Sequence, residues 1–309
     1  PPDPEPLMPA WLAALLTPIC RPAFEGPSPL FLIDSNVRGA GKTKLVHLIG
    51  RILQGADVDS MANVTDDIEM EKKIISIAKA GDSMTMIDDI GGMLGTPSLN
   101  SALTSTRFRG RTLGTQEMAA YDLLTTWYAT GNNVQVYRDM ARRIAHLRLR
   151  SNDQNPEHRQ LPDVLREATK NRVTYLQAAH TLILGWIGAG RPQQPLKGWG
   201  SFEGWNAMVR QIIVWCGEPD PGETREELAS HADVEGNALA GLIRGWKLIQ
   251  DNKGCPDGLT VKMVVDYLEL NRSMDELDEL RNAVDMLCPG GKNLARQLSM
   301  HLSHLRDRV

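Results

Sequence analysis

The sequence predicts an α/β domain followed by an all-helical region, and three observations predict it. First, the apolar run Leu30 to Ile33 leads into Asp34-Ser35-Asn36-Val37-Arg38-Gly39-Ala40-Gly41-Lys42-Thr43. Apolar residues at helical spacing from Leu45 to Leu53 follow, so the stretch reads as strand, glycine-rich loop and helix. Second, the short apolar run Ser83-Met84-Thr85-Met86-Ile87 ends in Asp88-Asp89, the form of a sheet strand delivering acids to a crevice. Third, residues 201–309 carry helical periodicity almost throughout.

The loop carries the most specific chemistry. Asn36, Val37, Arg38, Gly39, Ala40, Gly41, Lys42 and Thr43 stand where a phosphate-binding loop stands, between a strand and a helix. Gly39 and Gly41 allow a tight turn whose N–H groups face phosphate oxygens, and the helix N-terminus adds positive charge. Lys42 would reach the β- and γ-phosphates of ATP, and the Thr43 hydroxyl would bind Mg²⁺. Asn36 occupies the place of the usual first glycine, and asparagine tolerates positive φ better than most residues. An ordinary glycine-rich turn would not require the strand, the helix and Gly-Lys-Thr together.

Composition bounds the rest. A chain of 309 residues, 42% hydrophobic, can bury a sizeable core in about two domains. Net charge is −4, so the surface as a whole does not attract nucleic acid, and any such site must be a local basic concentration. Cys20, Cys216, Cys255 and Cys288 form no Cys-x-x-Cys pair. A reduced, cytoplasmic setting fits that usage. No apolar run is long enough to span a membrane, and no signal peptide is visible. The start at Pro1 and the stop at Val309 read as a piece of a longer protein.

In chain order, proline-rich residues 1–28 read as a lead-in or the end of a linker, with a short helix from Trp11 to Ile19. Residues 29–151 form the core. Asp66 to Ala80 is helical, with Met70, Ile74, Ile75 and Ile77 on one stripe. Asp88 is placed to hold Mg²⁺, directly or through water, and Asp89 to orient or activate the attacking water. In Thr104 to Gly114, period-two spacing puts Arg107, Arg109 and Arg111 on one face of an extended segment. Residues 102–150 hold eight Arg and no Lys against three acids, a local excess of five positive charges. That patch reads as phosphate-backbone contact with nucleic acid or a neighbour's nucleotide, or else as a solvated basic strand. Thr125 to Asn133 is a β-prone run ending in two amides. Arg142 and Arg143 close a short helix, either as an arginine finger for an adjacent subunit or as complements to the helix dipole. Residues 152–190 are a helical segment packing on the core, 191–200 with Pro192 and Pro195 a linker, and 201–309 a helical C-terminal domain. Trp205, Trp215 and Trp246 sit among aliphatics at helical spacing and read as core rather than as base-stacking platforms. The segment 259–309 reads as a winged-helix-like module or as solvated amphipathic helices.

The order of these pieces, from the phosphate loop through Asp88-Asp89, Arg-x-Arg-x-Leu-Gly, Ala-Thr-Gly-Asn-Asn and Asp-x-x-Arg-Arg, resembles AAA+ ATPases. It resembles more closely the superfamily 3-like helicase domain of phage or mobile-element primase–helicase proteins, over roughly residues 20–190. That resemblance implies a five-stranded parallel sheet of order 5-1-4-3-2 between helices. It implies a sensor role for Asn132, with Asn133 as the second choice, and a trans-acting finger in Arg142 or Arg143. It further implies a homo-oligomeric ring, a hexamer in the family, that pulls single-stranded DNA through a central pore in the cytoplasm of a bacterial host, with a primase domain often upstream. Asn36 for Gly and Asp89 for the usual Glu are the departures. Three functions follow: an ATP-driven DNA helicase or translocase in replication; an ATP-binding switch or loader that recruits replication proteins; and a packaging or defence ATPase.

Overall fold

The computed structural model describes residues 7–111, 118–151, 162–225, 228, 234–255, 258–272, 274–288 and 293–305. The strands in chain order are β1 (Leu30–Ser35), β2 (Ser60–Ala62), β3 (Met84–Ile90), β4 (Met93–Leu94), β5 (Arg107–Arg111), β6 (Met118–Asp122), β7 (Thr126–Asn132), β8 (Gln135–Val136) and β9 (Ile144–Leu149). β1 is buried along its whole length, as a continuous apolar run must be in the middle of a parallel sheet. It pairs in parallel with β7 on one side and β9 on the other. β3 continues the sheet beyond β7, and β2 forms its edge.

The five-stranded sheet therefore reads β2-β3-β7-β1-β9. Numbered over all nine described strands this differs from the expected 5-1-4-3-2; numbered over the five members of this sheet alone, in chain order, it is that order read from the other edge. Here β4 with β8 and β5 with β6 form two further two-stranded sheets, inserted between the main strands.

The chain divides into two compact units, residues 1–232 and 233–309. In the first, alternate residues of each strand feed two cores. Phe31, Ile33, Met86 and Tyr128 pack with α1 (Leu7–Cys20) and α2 (Lys42–Leu53). Leu32, Ile87, Trp127 and Ala129 pack with α3 (Asp67–Ala80) and α4 (Pro97–Ala102). Local signals place the helices. Asp66 caps α3 by accepting from Glu69 N at 2.8 Å, and Thr96 caps α4 by accepting from Leu99 N at 3.2 Å. A four-residue helix, α5 (Arg138–Ala141), precedes β9.

The expected linker at 191–200 is not where the chain divides. After α6 (Val164–Lys170) and α7 (Arg172–Gly188), this stretch is tied down side chain by side chain. Trp186 Nε1 donates to Pro192 O, Arg210 Nη1 donates to Lys197 O, and Trp199 is buried. The following α8 (Glu203–Trp205), a π-turn (Asn206–Arg210) and α9 (Gln211–Trp215) belong to the first unit. Trp205 is fully buried there and donates to Thr17 Oγ1 of α1 at 2.9 Å. Proline and glycine content misplaced the boundary because it reports chain stiffness, not whether side chains satisfy the backbone. The lead-in is likewise a core element: Tyr128 OH donates to Ala14 O at 2.9 Å from the middle of the sheet.

The second unit holds α10 (Val234–Lys253), α11 (Val261–Leu270), α12 (Asp278–Leu287) and α13 (Leu294–Leu305) around Leu242, Ile249, Val264, Leu280 and Leu298. Its described residues contain no strand. No helix among the described residues is long and apolar enough to cross a membrane.

Candidate functional site

The carboxyl ends of β1, β3 and β7 meet at the start of α2, and the side chains singled out in the sequence meet there too. Gly41 caps α2 at φ 92° and Gly39 lies at φ 72°, both in the left-handed region, with open space beyond Gly41 where a Cβ would be. Lys42 is nearly buried, and its Nζ donates to Asn132 Oδ1 at 2.7 Å. Burial pulls the Lys42 ammonium below the ordinary lysine value, while Asp34, Asp89 and Asp88 push it back up. Thr43 Oγ1 donates to Asp88 Oδ1 at 3.1 Å. The Thr130 hydroxyl donates to the same oxygen.

The two acids occupy a β-bulge. Ile87 pairs with Ala129 and Ile90 with Gly131, so Asp88 and Asp89 together face Thr130 alone. Asp89 takes φ 53°, is exposed, and its N–H donates to Thr130 Oγ1 at 3.3 Å. The bulge turns one acid inward and the other toward solvent. Gly131 is required at this crossing, since a Cβ there would stand 2.6 Å from Ile90 O and 2.3 Å from Val134 Cγ2.

Asn36 has a different job from the glycine it replaces. Its Nδ2 donates to Ser151 O at 2.9 Å and its Oδ1 accepts from Ser151 N at 3.0 Å. The amide thus clasps the backbone just beyond β9 as another strand would. We expect Asn36→Gly to lower stability by about 1–3 kcal/mol, because two part-buried bonds are lost and backbone freedom is gained. Urea unfolding checks this; an unchanged midpoint would mean the clasp adds nothing.

The remaining predicted residues lie apart from this cluster. Arg142 and Arg143 precede Ile144, which pairs with Leu30 at the start of β1. The loop leaves the other end of β1, five residue steps or roughly 17 Å away. Arg142 is exposed, with Nη2 3.6 Å from Asp139 Oδ1. Arg143 donates to Asn100 Oδ1, and burial followed by the Arg142 charge lowers its pKa. Arg107 and Arg109 point outward from the β5–β6 hairpin while Phe108 points into the core. Arg107 pairs across the hairpin with Asp122 at 3.3 Å. The Arg111 side chain, like residues 112–117, lies outside the described residues.

Thr130, Asp34 and Arg148 belong to the cluster but were not singled out by sequence. Period-two spacing from Asn132 is the one sequence signal that could have found Thr130. Burial would raise the Asp34 pKa, but His146, the N–H groups of Val134 and Ser35, and the His146 charge outweigh it and hold the carboxyl below its usual value.

An all-oxygen pair of Thr43 and Asp88 suits Mg²⁺, which takes few protein ligands and completes its shell with phosphates and water. Among the described residues no group of three or more His, Cys, Asp or Glu could hold a metal by itself. The turn with left-handed Gly39 and Gly41, the helix start and Lys42 suit a polyphosphate.

No family model matches the chain, and no curated protein matches it. Among solved structures, it is similar to JCV helicase with bound N-(4-(2-(thiazolo[5,4-c]pyridin-2-yl)phenoxy)phenyl)acetamide, at 13% identity and a TM-score of 0.31. That match covers 76% of this chain and 65% of the helicase chain. A likeness at that level carries no argument for this chain. What the geometry defines is an α/β protein whose five-stranded parallel sheet, flanked by helices, is compatible with a P-loop-like core.

Proposed function

We propose that this chain is an ATP-dependent DNA helicase or translocase that works as a homo-oligomeric ring on single-stranded DNA in phage or mobile-element replication. The observation that carries the reading is the meeting of Lys42, Thr43, Asp88 and Asn132 at the ends of three adjacent strands, beside a turn with two left-handed glycines. Lys42 and the N–H groups of Asn36 to Thr43 hold the phosphates of ATP. Thr43 and Asp88 hold Mg²⁺, which supplies charge neutralisation on the phosphate oxygens when bound. Asp89, on the solvent side of the bulge, accepts a proton from the attacking water, and Asn132 orients that water against the terminal phosphate. Arg142 rather than Arg143 is the finger, because Arg143 is engaged by Asn100. Its distance from its own loop makes it serve a neighbouring copy. Arg107 and Arg109 contact DNA phosphates, and Arg111 joins them as the third arginine of the period-two spacing in the sequence.

Steady-state ATPase activity with single- and double-stranded DNA, beside Lys42→Ala, tests the reading. Turnover stimulated by single strands and lost in the variant is expected, together with strand displacement. Binding without turnover would favour the switch or loader, and stimulation by duplex alone a packaging or defence ATPase. Arg107→Ala combined with Arg109→Ala should flatten the salt dependence of single-strand binding by about 1.4 in log–log slope, two contacts at roughly 0.7 each. A slope unchanged within error would remove this hairpin from the DNA path.

A further inference from the structure

Strand β9 leaves the sheet beside the phosphate loop, and its alternation sets His146 against Leu32 and Arg148 against Asp34 in register. The Asp34 carboxylate is almost wholly enclosed. Its Oδ1 accepts from Val134 N at 3.2 Å. Its Oδ2 lies 3.3 Å from Arg148 Nη1 and 3.6 Å from His146 Nε2. The second arm of the guanidinium, Nη2, donates to Asn133 Oδ1 at 3.0 Å. Asn133 is a left-handed residue at φ 48°, and its N–H donates to Ser35 O at 3.0 Å. Residues 133 and 134 are thus held to β1 and β9 by three hydrogen bonds. They follow directly on Asn132, the acceptor for Lys42.

A corner built on a left-handed asparagine is not held by its own backbone preference, so its position depends on these bonds. Arginine is the residue that can make them, because its planar fork reaches a carboxylate and an amide at fixed separation; a lysine ammonium can satisfy the charge of Asp34 but not span both. We propose that Arg148 is a positioning residue for the phosphate site: by joining Asp34 to Asn133 it fixes the corner that presents Asn132 to Lys42 and to the nucleotide. The inference rests on the nucleotide-binding reading given above. It assigns to β9 a part in the site that neither the loop nor the acid pair reveals.

The test is a double-mutant cycle in the full chain with Arg148→Lys, Asn133→Gly and the pair. Arg148→Lys keeps a cation beside Asp34, and glycine accepts the left-handed backbone of residue 133, so both variants should fold. Each should lower kcat about 10-fold, since small misplacement of a positioning group is costly in rate. ATP affinity measured by calorimetry should stay within about 3-fold, and the double variant should be no slower than the worse single, because both cut one connection. Multiplied losses of about 100-fold in the double variant would overturn the proposal, as would a wild-type kcat in Arg148→Lys. Losses matched by a fall in unfolding midpoint would overturn it too, since they would report packing alone. A wild-type chain that binds no ATP would overturn the parent reading, and this one with it, whereas additive losses in an active enzyme would overturn only this one.

Discussion

Replacing Arg142 with Ala should reduce the ATPase rate by about 10³–10⁵ while leaving ATP binding and folding intact. The expected size is that of a finger supplied across a subunit boundary. The selectivity follows from the side chain's setting. Arg142 is exposed and its ion pair with Asp139 is a surface contact worth about 0–1 kcal/mol. Its backbone is fixed independently, since Trp199 Nε1 donates to Arg142 O at 2.6 Å. Truncation therefore removes the cation without moving the chain that carries it. Arg143→Ala should behave in the opposite way, losing the Asn100 bond and about 1 kcal/mol of stability with a smaller effect on rate. Rate, ATP affinity and urea unfolding measured on both variants decide between them. A fast Arg142→Ala beside a slow Arg143→Ala would transfer the role to Arg143.

Asp89 should separate activity from stability. A non-glycine residue at φ 53° costs of order 1 kcal/mol, and the bulge holds it there. Asp89→Gly relieves that cost and should leave the protein as stable as before, or more stable by up to about 1 kcal/mol. Turnover should nonetheless fall by about 10²–10⁴, the usual loss when a positioned base is removed. Asp89→Asn should lose the same turnover with little change in stability, since asparagine also accepts this backbone conformation. Calorimetric unfolding beside steady-state kinetics gives both quantities. Full turnover in Asp89→Gly would show that the acid does not handle the water, and that the bulge serves only to aim Asp88.

These two residues also mark what sequence can and cannot supply. The loop was legible because Gly39, Gly41, Lys42 and Thr43 are local, and their chemistry depends on neighbours within ten residues. Arg107 and Arg109 were legible because alternation around Phe108 is a property of any half-buried strand. The site's other contacts depend on register. Thr130 matters because a bulge places it opposite both acids, and nothing in Met-Ile-Asp-Asp-Ile announces a bulge. Asn36 reads as a weakened glycine until Ser151 is seen against it, 115 residues away. The choice between Arg142 and Arg143 turned on Asn100, a neighbour from another helix. The domain boundary was misread for a related reason: buried Arg210 and the indoles of Trp186 and Trp199 hold a segment whose composition resembles a tether.

The central claim is that one catalytic site takes its phosphate loop from one copy and its arginine from another. Mixing Lys42→Ala protein with Arg142→Ala protein tests it most directly. Each alone should be inactive. In a head-to-tail ring mixed at random in equal amounts, about one interface in four joins an intact loop to an intact finger, so about a quarter of the wild-type rate should return. If the mixture stays as inactive as its parts while wild-type protein under the same conditions is active, the site is complete within one chain and the account of Arg142 is wrong.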